Sequence, residues 1–462
     1  MLGPTRRAHF IGVGGTGMSP LAEILLRRGS RVSGSDEKVT TVTAHLEALG
    51  LDFHQGHEAA HVGDVDVVVR SSAVKPSNPE VVEAVRRNIP VILRGELLAA
   101  LMREKTGVAI AGAHGKTTTT SMAGLVLDRA GLDPTVVIGG RLAQFGSSAR
   151  VGDGALLVAE ADESDRSFLL LSPAYAIVTN IDREHLESYA DLADLERAFH
   201  DFVDALPPQG AAVLCVDDPA LRRIAHSTSR RVIRYGLDDP SATYTATDVE
   251  LGGFGSRATV VRRTAEGEQV LGPMTLGVPG RHNVGNAIAV VALAIELGVT
   301  FPVIAAALAE FRGADRRFER KGDARGVSVV DDYGHHPTEI AAVLNAARAT
   351  GARRVLCVFQ PHRFTRTAHL LEEFGPALAL ADVTVLTDIY AAGEDPIAGI
   401  TADAVAAQVR ASGGAVEVVP ALADVPARVA AIAREGDLVL TMGAGSIGAL
   451  GPKVLEAIRS CR

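Results

Sequence analysis

The chain has 462 residues, a length typical of about three domains. With 47% hydrophobic and 22% charged residues, it has enough apolar side chains for several cores. The 46 Lys and Arg residues against 55 Asp and Glu residues give a net charge of −9, which argues against a general nucleic-acid-binding protein. Any anionic ligand must therefore be held by local cations.

Cysteine spacing and hydropathy indicate a cytoplasmic protein. The three cysteines are far apart and form no CxxC motif, which suits a reducing compartment. The apolar stretch at residues 9–13 is too short for the core of a signal peptide, and the one at 287–295 is stopped by Glu296 well short of a membrane span. We expect no membrane insertion and no nucleic-acid partner, and a monomer or a homodimer.

Residues 1–103 form a first predicted block, in which strands alternate with helices as in a parallel sheet. A strand at 9–11 leads into the glycine turn 12–17, and a helix follows at 18–28. The pattern Gly-x-Gly-x-x-Gly, with Asp36 at the end of the next strand, fits a fingerprint in which a diphosphate rests on the helix N-terminus and the acid binds a ribose. The pattern alone does not identify the diphosphate, and a tight turn without a ligand is the alternative.

The second predicted block, residues 104–314, carries a phosphate loop. A buried strand precedes the sequence Gly-Ala-His-Gly-Lys-Thr-Thr at residues 112–118, and a helix follows it. Lys116 offers a cation to the β- and γ-phosphates of a nucleotide, and Thr117 offers a hydroxyl to Mg²⁺. Ile110 stands where the common pattern has glycine, so the loop is a shortened variant. A glycine turn with an exposed lysine is the alternative.

A carboxylate and an imidazole follow two further strands of this block. Glu160 ends the apolar strand 155–159, and His185 follows the strand 176–179. Because ligands collect at the carboxyl ends of strands in open α/β sheets, we expect Glu160 to hold Mg²⁺ against the phosphates and His185 to be a second metal ligand. An exposed acidic loop and a structural histidine are the alternatives.

The end of the second block has a different pattern. Short β-rich runs at 242–278 predict a small antiparallel patch, and a helix is predicted at 286–297. Asn283 and Asn286 lie at the start of this helix, and two interpretations stay open. Their amides read a base edge, since an amide both donates and accepts hydrogen bonds, or Asn286 is the helix N-cap.

The third predicted block, residues 315–462, is typical of a second doubly wound domain. Helices such as 337–349 and 425–434 separate five predicted strands, at 327–330, 354–359, 383–387, 416–419 and 438–441. Two of the strand ends carry basic side chains, namely His335, His336, His362, Arg363 and Arg366. We expect a cationic, anion-binding rim there, and a basic rim without a ligand is the alternative.

Together these segments resemble the Mur ligases of peptidoglycan synthesis over nearly the whole chain. Six motifs follow in the order of that family, at residues 12–19, 112–118, 160–165, 280–283, 331–337 and 360–366. Six ordered motifs are far more specific than any one of them. Ala113 stands where threonine is usual, and Ser446, in the C-terminal segment 443–447, stands where Asn or Asp is usual.

The resemblance implies a three-domain α/β fold and an ATP-dependent ligase. The implied domains are a Rossmann-like N-terminal domain that binds a UDP-sugar (1–103), a central P-loop ATPase-type domain with the antiparallel patch (104–314), and a C-terminal Rossmann-like domain that binds the amino acid and closes over ATP (315–462). The hinge would lie near Arg317. The implied reaction joins L-alanine to the lactyl carboxylate of UDP-N-acetylmuramate through an acyl phosphate, with ATP and Mg²⁺.

The resemblance also implies roles for particular residues. The implied ATP contacts are Gly112, Ala113, His114, Gly115, Lys116, Thr117, Thr118, Asn283, Asn286, Arg317 and Asp332. The implied UDP-sugar contacts are Gly14, Gly15, Thr16, Gly17, Met18, Asp36, Ser71 and Ser72. The amino acid would contact Tyr333, His335, Arg363 and Arg366, and the metal would contact Thr117, Glu160 and His185. Catalytic roles fall to Lys116, Glu160, His185, Arg317, Asp332 and His335.

Three other functions stay open. A related ligase that attaches recycled tripeptide to the same nucleotide sugar shares the phosphate loop and the Asp-Asp-aromatic-x-His-His-Pro segment, although Ser164 and the paired Arg363 and Arg366 favour transfer of alanine. A nicotinamide-dependent dehydrogenase would leave Lys116 and Glu160 unexplained. A non-catalytic nucleotide-sensing module would not need arginines and histidines facing phosphates. The base that deprotonates the amine, and the selectivity among alanine, serine and glycine, are not evident from the residues.

Overall fold

The computed structural model describes residues 7–142, 144–184 and 188–461, which divide into two compact units. The first unit lies within Met1–Thr247, Val260–Gly272 and Gly285–Leu308. The second comprises Asp248–Thr259, Pro273–Val284 and the chain from Ala309 onward.

The first unit begins with a five-stranded parallel sheet. Its strands are β1 (Arg7–Ile11), β2 (Arg31–Asp36), β3 (Asp52–Gln55), β4 (Val67–Arg70) and β5 (Val91–Leu93), and its helices are α1 (Ser19–Arg27), α2 (Thr41–Ala48), α3 (Pro79–Arg86) and α4 (Arg94–Met102). The strand order is β3-β2-β1-β4-β5, and every neighbouring pair is parallel. Helix α1 buries Leu21, Ile24 and Leu25, which share one face at helical spacing. The chain reverses its direction of winding between β1 and β4, so a crevice for a ligand forms at the carboxyl ends of these strands.

A second sheet contains the strand that leads into the predicted phosphate loop. Its strands are β6 (Thr106–Ala111), β7 (Thr135–Leu142), β8 (Ser147–Arg150), β9 (Leu156–Glu160), β10 (Tyr175–Val178), β11 (Ala211–Cys215), β12 (Val232–Tyr235), β13 (Tyr244–Gly252), β14 (Gly255–Thr264) and β15 (Gly267–Leu276). The helices are α5 (Lys116–Arg129), α6 (Leu192–Asp204), α7 (Pro219–Ser227), α8 (Arg281–Glu296) and α9 (Phe301–Glu310). The strand order is β15-β14-β13-β12-β11-β10-β6-β9-β7-β8. Strands β13 to β15 are joined by two-residue connections, which fit only antiparallel neighbours, as predicted for this patch.

One boundary in this region differs from the prediction. Helix α8 begins at Arg281, five residues before the predicted start, directly after Gly280 with its φ of +101°. Asn283, Val284 and Asn286 are buried, so the polar first turn is packed against the protein and belongs to the helix. Asn286 therefore lies inside the helix, and the interpretation of Asn286 as an N-cap is wrong.

The second unit contains a six-stranded sheet. Its strands are β16 (Glu319–Ala324), β17 (Val327–Asp332), β18 (Arg354–Phe359), β19 (Val383–Leu386), β20 (Val416–Val418) and β21 (Asp437–Met442). The helices are α10 (Pro337–Ala349), α11 (Phe364–His369), α12 (Leu371–Leu378), α13 (Ala402–Ala411), α14 (Val425–Ile432) and α15 (Gly451–Ser460). The strand order is β16-β17-β21-β18-β19-β20, and only β16 runs antiparallel to its neighbour. The five predicted strands are present, and β16 is an additional edge strand, joined to β17 by a turn at Arg325 and Gly326 whose φ values are both positive.

Across residues 7–142, 144–184 and 188–461, none of the helices combines the length and the apolar character that crossing a bilayer requires.

Candidate functional site

The predicted phosphate loop connects β6 to α5 in the first unit. A Cβ placed on Gly112, whose φ is +127°, would lie 2.1 Å from Thr179 Oγ1, so this position accepts only glycine. The loop is held by the segment that follows β10. The backbone N–H of His114 donates to Asn180 Oδ1 at 2.8 Å, and Thr179 Oγ1 donates to the His114 carbonyl at 2.6 Å. These two hydrogen bonds hold the loop to the segment after β10.

Lys116, at the first position of α5, points back over the loop. Its Nζ donates to the Gly112 carbonyl at 2.5 Å, to the Ala113 carbonyl at 3.1 Å and to Glu163 Oε1 at 2.7 Å. Burial on its own would lower the pKa of Lys116, but the negative charges of Glu163 and Asp162 outweigh it and raise that pKa. Lys116 is thus a partly buried cation at the mouth of the loop, and the neighbouring carboxylates favour its charged form.

Glu163 is a site residue that the sequence did not single out. It lies in the predicted acidic segment after β9, is only 2% exposed, and forms the ion pair with Lys116. Its carbonyl also accepts a hydrogen bond from the Tyr189 hydroxyl at 2.6 Å. Several carboxylates follow β9, and no local pattern distinguishes the one that reaches Lys116.

Glu160 and Thr117 lie together, as the predicted magnesium site requires. Thr117 Oγ1 donates to Glu160 Oε2 at 3.2 Å, and the backbone N–H of Gly139 donates to Glu160 Oε1 at 2.5 Å. A hydroxyl and a carboxylate are hard oxygen donors of the kind that Mg²⁺ prefers, so these residues fit that ion. Thr118, the next residue of α5, is buried.

His185, the other predicted metal ligand, lies outside the described residues. The segment just before it contributes acidic side chains that the sequence analysis did not select. Asp182 Oδ2 lies 2.8 Å from His114 Nε2, and Glu184 Oε2 lies 4.0 Å from His114 Nδ1. His114 is thus held on its imidazole side as well as through its backbone.

The glycine turn after β1 is closed by the predicted ribose-binding acid. Asp36 Oδ2 accepts a hydrogen bond from the backbone N–H of Gly14 at 2.9 Å, and the N–H of Gly15 donates to the Gly12 carbonyl at 3.1 Å. Met18 begins the next turn, with its N–H donating to the Gly15 carbonyl at 2.9 Å. Ser71 and Ser72 follow β4, the neighbour of β1, and so lie at the same edge of the sheet as Thr16 and Gly17.

The two predicted adenine contacts differ in their surroundings. Asn286, in the first unit, lies against the phosphate loop, because a Cβ placed on Gly115 would be 2.9 Å from Asn286 Oδ1. Asn283, in the second unit, donates from Nδ2 to the Pro279 carbonyl at 2.7 Å. Both side chains are buried.

In the second unit, two arginines lie over one aromatic ring. The guanidinium carbons of Arg316 and Arg317 are 5.2 Å and 5.1 Å from the centre of the Tyr333 ring. Arg316 is tied down, with Nε 2.9 Å from Asp331 Oδ2 and Nη2 donating to the Gly443 carbonyl at 2.5 Å. The Gly443 carbonyl, at the start of segment 443–447, therefore helps to hold Arg316.

Asp332 is buried at the end of β17 and holds the backbone on both sides of it. Its two carboxylate oxygens accept from the N–H groups of Phe318 and Gly334, each at 2.7 Å. Burial raises the pKa of Asp332 to about 6, against the opposing effects of the Arg317 charge and of these two N–H groups. The carboxylate thus orders the chain next to Arg317.

The side chains of the predicted cationic rim lie after β17 and β18, where Arg363 Nε is ion-paired with Glu394 Oε1 at 2.5 Å. Arg366 Nη1 lies 3.2 Å from His362 Nδ1, and the His335 and His362 rings are 6.0 Å apart. Burial, and then the charges of His335, Arg366 and Arg363, lower the pKa of His362 to about 4, so its imidazole is neutral at pH 7. His336 does not join the rim, because it is buried and its ring caps α10 by accepting from the Thr338 N–H at 3.4 Å.

The sequence matches the descriptions of one known protein family along most of its length. Three family descriptions match successive parts of it: "Mur ligase family, catalytic domain" at residues 7–106, "Mur ligase middle domain" at 110–294 and "Mur ligase, glutamate ligase domain" at 316–445. The chain belongs to the Mur ligase family. The resemblance that six short motifs indicated is therefore confirmed.

This Mur ligase is 48% identical over 455 residues to the UDP-N-acetylmuramate–L-alanine ligase of Syntrophus aciditrophicus, a match that covers 98% of the chain and 94% of that protein. It is 51% identical over 455 residues to the ligase of the same name from Anaeromyxobacter sp., with 98% of both proteins covered. The crystal structure of the UDP-N-acetylmuramate–alanine ligase of Thermotoga maritima has a TM-score of 0.83 and 30% identity, and it covers 99% of this chain and 100% of its own. These matches confirm the predicted three-domain α/β fold.

Proposed function

We propose that this Mur ligase joins L-alanine to the lactyl carboxylate of UDP-N-acetylmuramate in the cytoplasm and consumes ATP. The observation that carries the proposal is the identity of about half of all residues, over nearly the full length, with proteins named UDP-N-acetylmuramate–L-alanine ligase. The geometry of Lys116, Thr117 and Glu160 supports the phosphoryl-transfer part of it.

The proposed domain roles follow the chain. Residues 1–103 would bind the UDP-sugar, with its diphosphate at the turn of Gly14 to Met18 and with Asp36, Ser71 and Ser72 beside it. Residues 104–314 would bind ATP, and residues 315–462 would bind the amino acid.

ATP would lie with its β- and γ-phosphates on the loop amides of residues 112–118. Lys116, held charged by Glu163, would offset the negative charge that the transferred phosphoryl group carries. Thr117 and Glu160 would hold one Mg²⁺, and His185 a second. When bound, Mg²⁺ offsets charge between the two reacting anions.

The reaction would proceed in two steps. A lactyl carboxylate oxygen attacks the γ-phosphorus, the bond to ADP breaks, and an acyl phosphate forms. The neutral amine of alanine then attacks the acyl carbon, the bond from carbon to the phosphate oxygen breaks, and the nitrogen gives up a proton. Because an acyl phosphate hydrolyses readily, the protein must keep water away from it.

The second unit would supply the contacts for alanine. Arg363 and Arg366 offer planar N–H donors that suit a carboxylate, and His335 and Tyr333 lie in T-shaped contact beside them, with ring centres 5.4 Å apart. Arg317 would contact ATP, and Asp332 would act through the backbone that it orders next to Arg317.

Phosphate release from ATP by the purified protein tests the proposal. We expect release to require UDP-N-acetylmuramate and L-alanine together. Turnover with the tripeptide and not with alanine would identify the recycling ligase instead, and oxidation of NADH would indicate a dehydrogenase.

A further inference from the structure

Arg94 lies between the glycine turn of the first sheet and the acidic segment that follows β9. It is the first residue of α4, and its side chain is 18% exposed. Its Nη2 is ion-paired with Asp162 and lies 3.4 Å from Asp165 Oδ2. The negative charge of Asp162 contributes in turn to the raised pKa of Lys116 in the phosphate loop.

Two glycines allow Arg94 to lie there. A Cβ placed on Gly17 would be 2.9 Å from Arg94 Nη1 and 3.4 Å from its Cζ, so the guanidinium rests directly against the bare Cα of the turn. A Cβ placed on Gly95 would be 2.6 Å from the Cβ of Ser167, so α4 approaches the acidic segment at its own second residue. Gly17 therefore does more than close a turn, because a side chain there would displace Arg94.

The donors of Arg94 are only partly used. Both carboxylates engage Nη2, while Nη1 and Nε donate to no partner among the described residues. In the glycine turn beside Arg94, the backbone N–H groups of Thr16 and Gly17 also donate to no described partner. A planar guanidinium edge next to two backbone N–H groups is a donor set for the oxygens of a phosphate or diphosphate.

We propose that Arg94 binds the diphosphate of the nucleotide sugar through Nη1 and Nε, while Nη2 ties it to Asp162 and so to the segment that carries Glu163, the ion-pair partner of Lys116. This inference rests on the proposed function, because it takes the glycine turn as the diphosphate site. One guanidinium would thus touch both the first substrate and the segment that positions the ATP-binding lysine.

Binding of UDP and of uridine to the full-length protein tests this role. We expect Arg94→Met to weaken UDP binding by about tenfold to a hundredfold, the range for a lost hydrogen bond between charged groups, and to leave uridine binding unchanged. Arg94→Lys keeps the charge but loses the planar pair of donors, so its UDP affinity should lie between those of the wild type and of Arg94→Met. Arg28→Met is the matched control, because Arg28 is similarly exposed and paired, with Glu104 at 2.8 Å, away from the turn.

The outcomes separate this inference from the proposed function. A wild-type protein that does not bind UDP would overturn both. If a folded Arg94→Met variant binds UDP with the affinity of the wild type, the role of Arg94 alone is overturned. An equal loss of UDP and uridine affinity in that variant would also overturn it. If Arg94→Met does not fold, UDP affinity of Arg94→Lys equal to that of the wild type would overturn the role. In turnover, Arg94→Lys should raise the KM for UDP-N-acetylmuramate and leave the KM for alanine unchanged.

Discussion

Replacing Lys116 by methionine should cost stability as well as activity. The change removes the ammonium that lies 2.7 Å from Glu163 and leaves that carboxylate buried without its cation. Breaking one side of a buried ion pair costs about 3–5 kcal/mol, because the remaining charge has lost its hydration. Turnover should fall by about a hundredfold or more, since a preorganised charge at the transferred phosphoryl group is lost.

The double variant Lys116→Met/Glu163→Gln separates these two effects. It removes both charges, so urea denaturation should show most of the lost stability restored, while phosphate release stays low. Lys105→Met is a matched control, because Lys105 is a partly buried lysine whose Nζ donates to Thr135 Oγ1 at 3.0 Å and to the carbonyls of Gly152 and Gly154. It should lose stability but keep the wild-type KM for ATP. A single variant as stable as the wild type would refute the reasoning about the ion pair, and an active double variant would refute the role of Lys116 at the phosphates.

Three further changes test other parts of the site. Gly139→Ala would place a Cβ 2.7 Å from Glu160 Oε2, so it should raise the Mg²⁺ concentration needed for half-maximal turnover severalfold. In the control Gly252→Ala, the added Cβ meets nothing within 4 Å, and that Mg²⁺ concentration should not change. Equal Mg²⁺ concentrations in the two variants would contradict the placement of the metal. Because burial raises the pKa of Asp332 to about 6, the folded state binds this proton more tightly than the unfolded chain, and the free energy of unfolding should fall by up to about 3 kcal/mol as the pH rises from about 4 to 6. Urea midpoints at pH 4.5 and 7 should show that Asp332→Asn lacks this decline. A variant with the same pH dependence as the wild type would contradict the raised pKa of Asp332. Arg363→Lys should raise the KM for alanine about tenfold and leave the KM for ATP unchanged, and the reverse pattern in steady-state kinetics would exclude Arg363 from the alanine site.

The phosphate loop and the strand ends could be predicted because their signals are local. A glycine turn between an apolar strand and a helix determines where Lys116 and Thr117 lie, and the approach of Glu160 follows from the pairing of neighbouring strands β6 and β9. The rim residues lie close for a related reason, because β17 and β18 are parallel strands on either side of β21 and their carboxyl ends share one edge of the sheet.

Other features depend on contacts between distant parts of the chain. Glu163 is one of several acids after β9, and only the packed structure selects it as the partner of Lys116. The fit of Arg94 against Gly17 joins positions 77 residues apart, and no periodicity indicates it. The N-cap alternative for Asn286 is wrong because α8 starts five residues earlier, at Arg281, and the buried Asn283 and Val284 pack within its first turn. His185 lies outside the described residues, and its role as a metal ligand stays a prediction.

The most direct test of the proposed reaction follows the oxygen atoms of the substrate. UDP-N-acetylmuramate labelled with ¹⁸O in its lactyl carboxylate should, in the presence of ATP and L-alanine, give inorganic phosphate that carries one labelled oxygen per turnover. Mass spectrometry that found the released phosphate unlabelled, with the lost carboxylate oxygen in AMP or in water, would contradict an acyl phosphate intermediate.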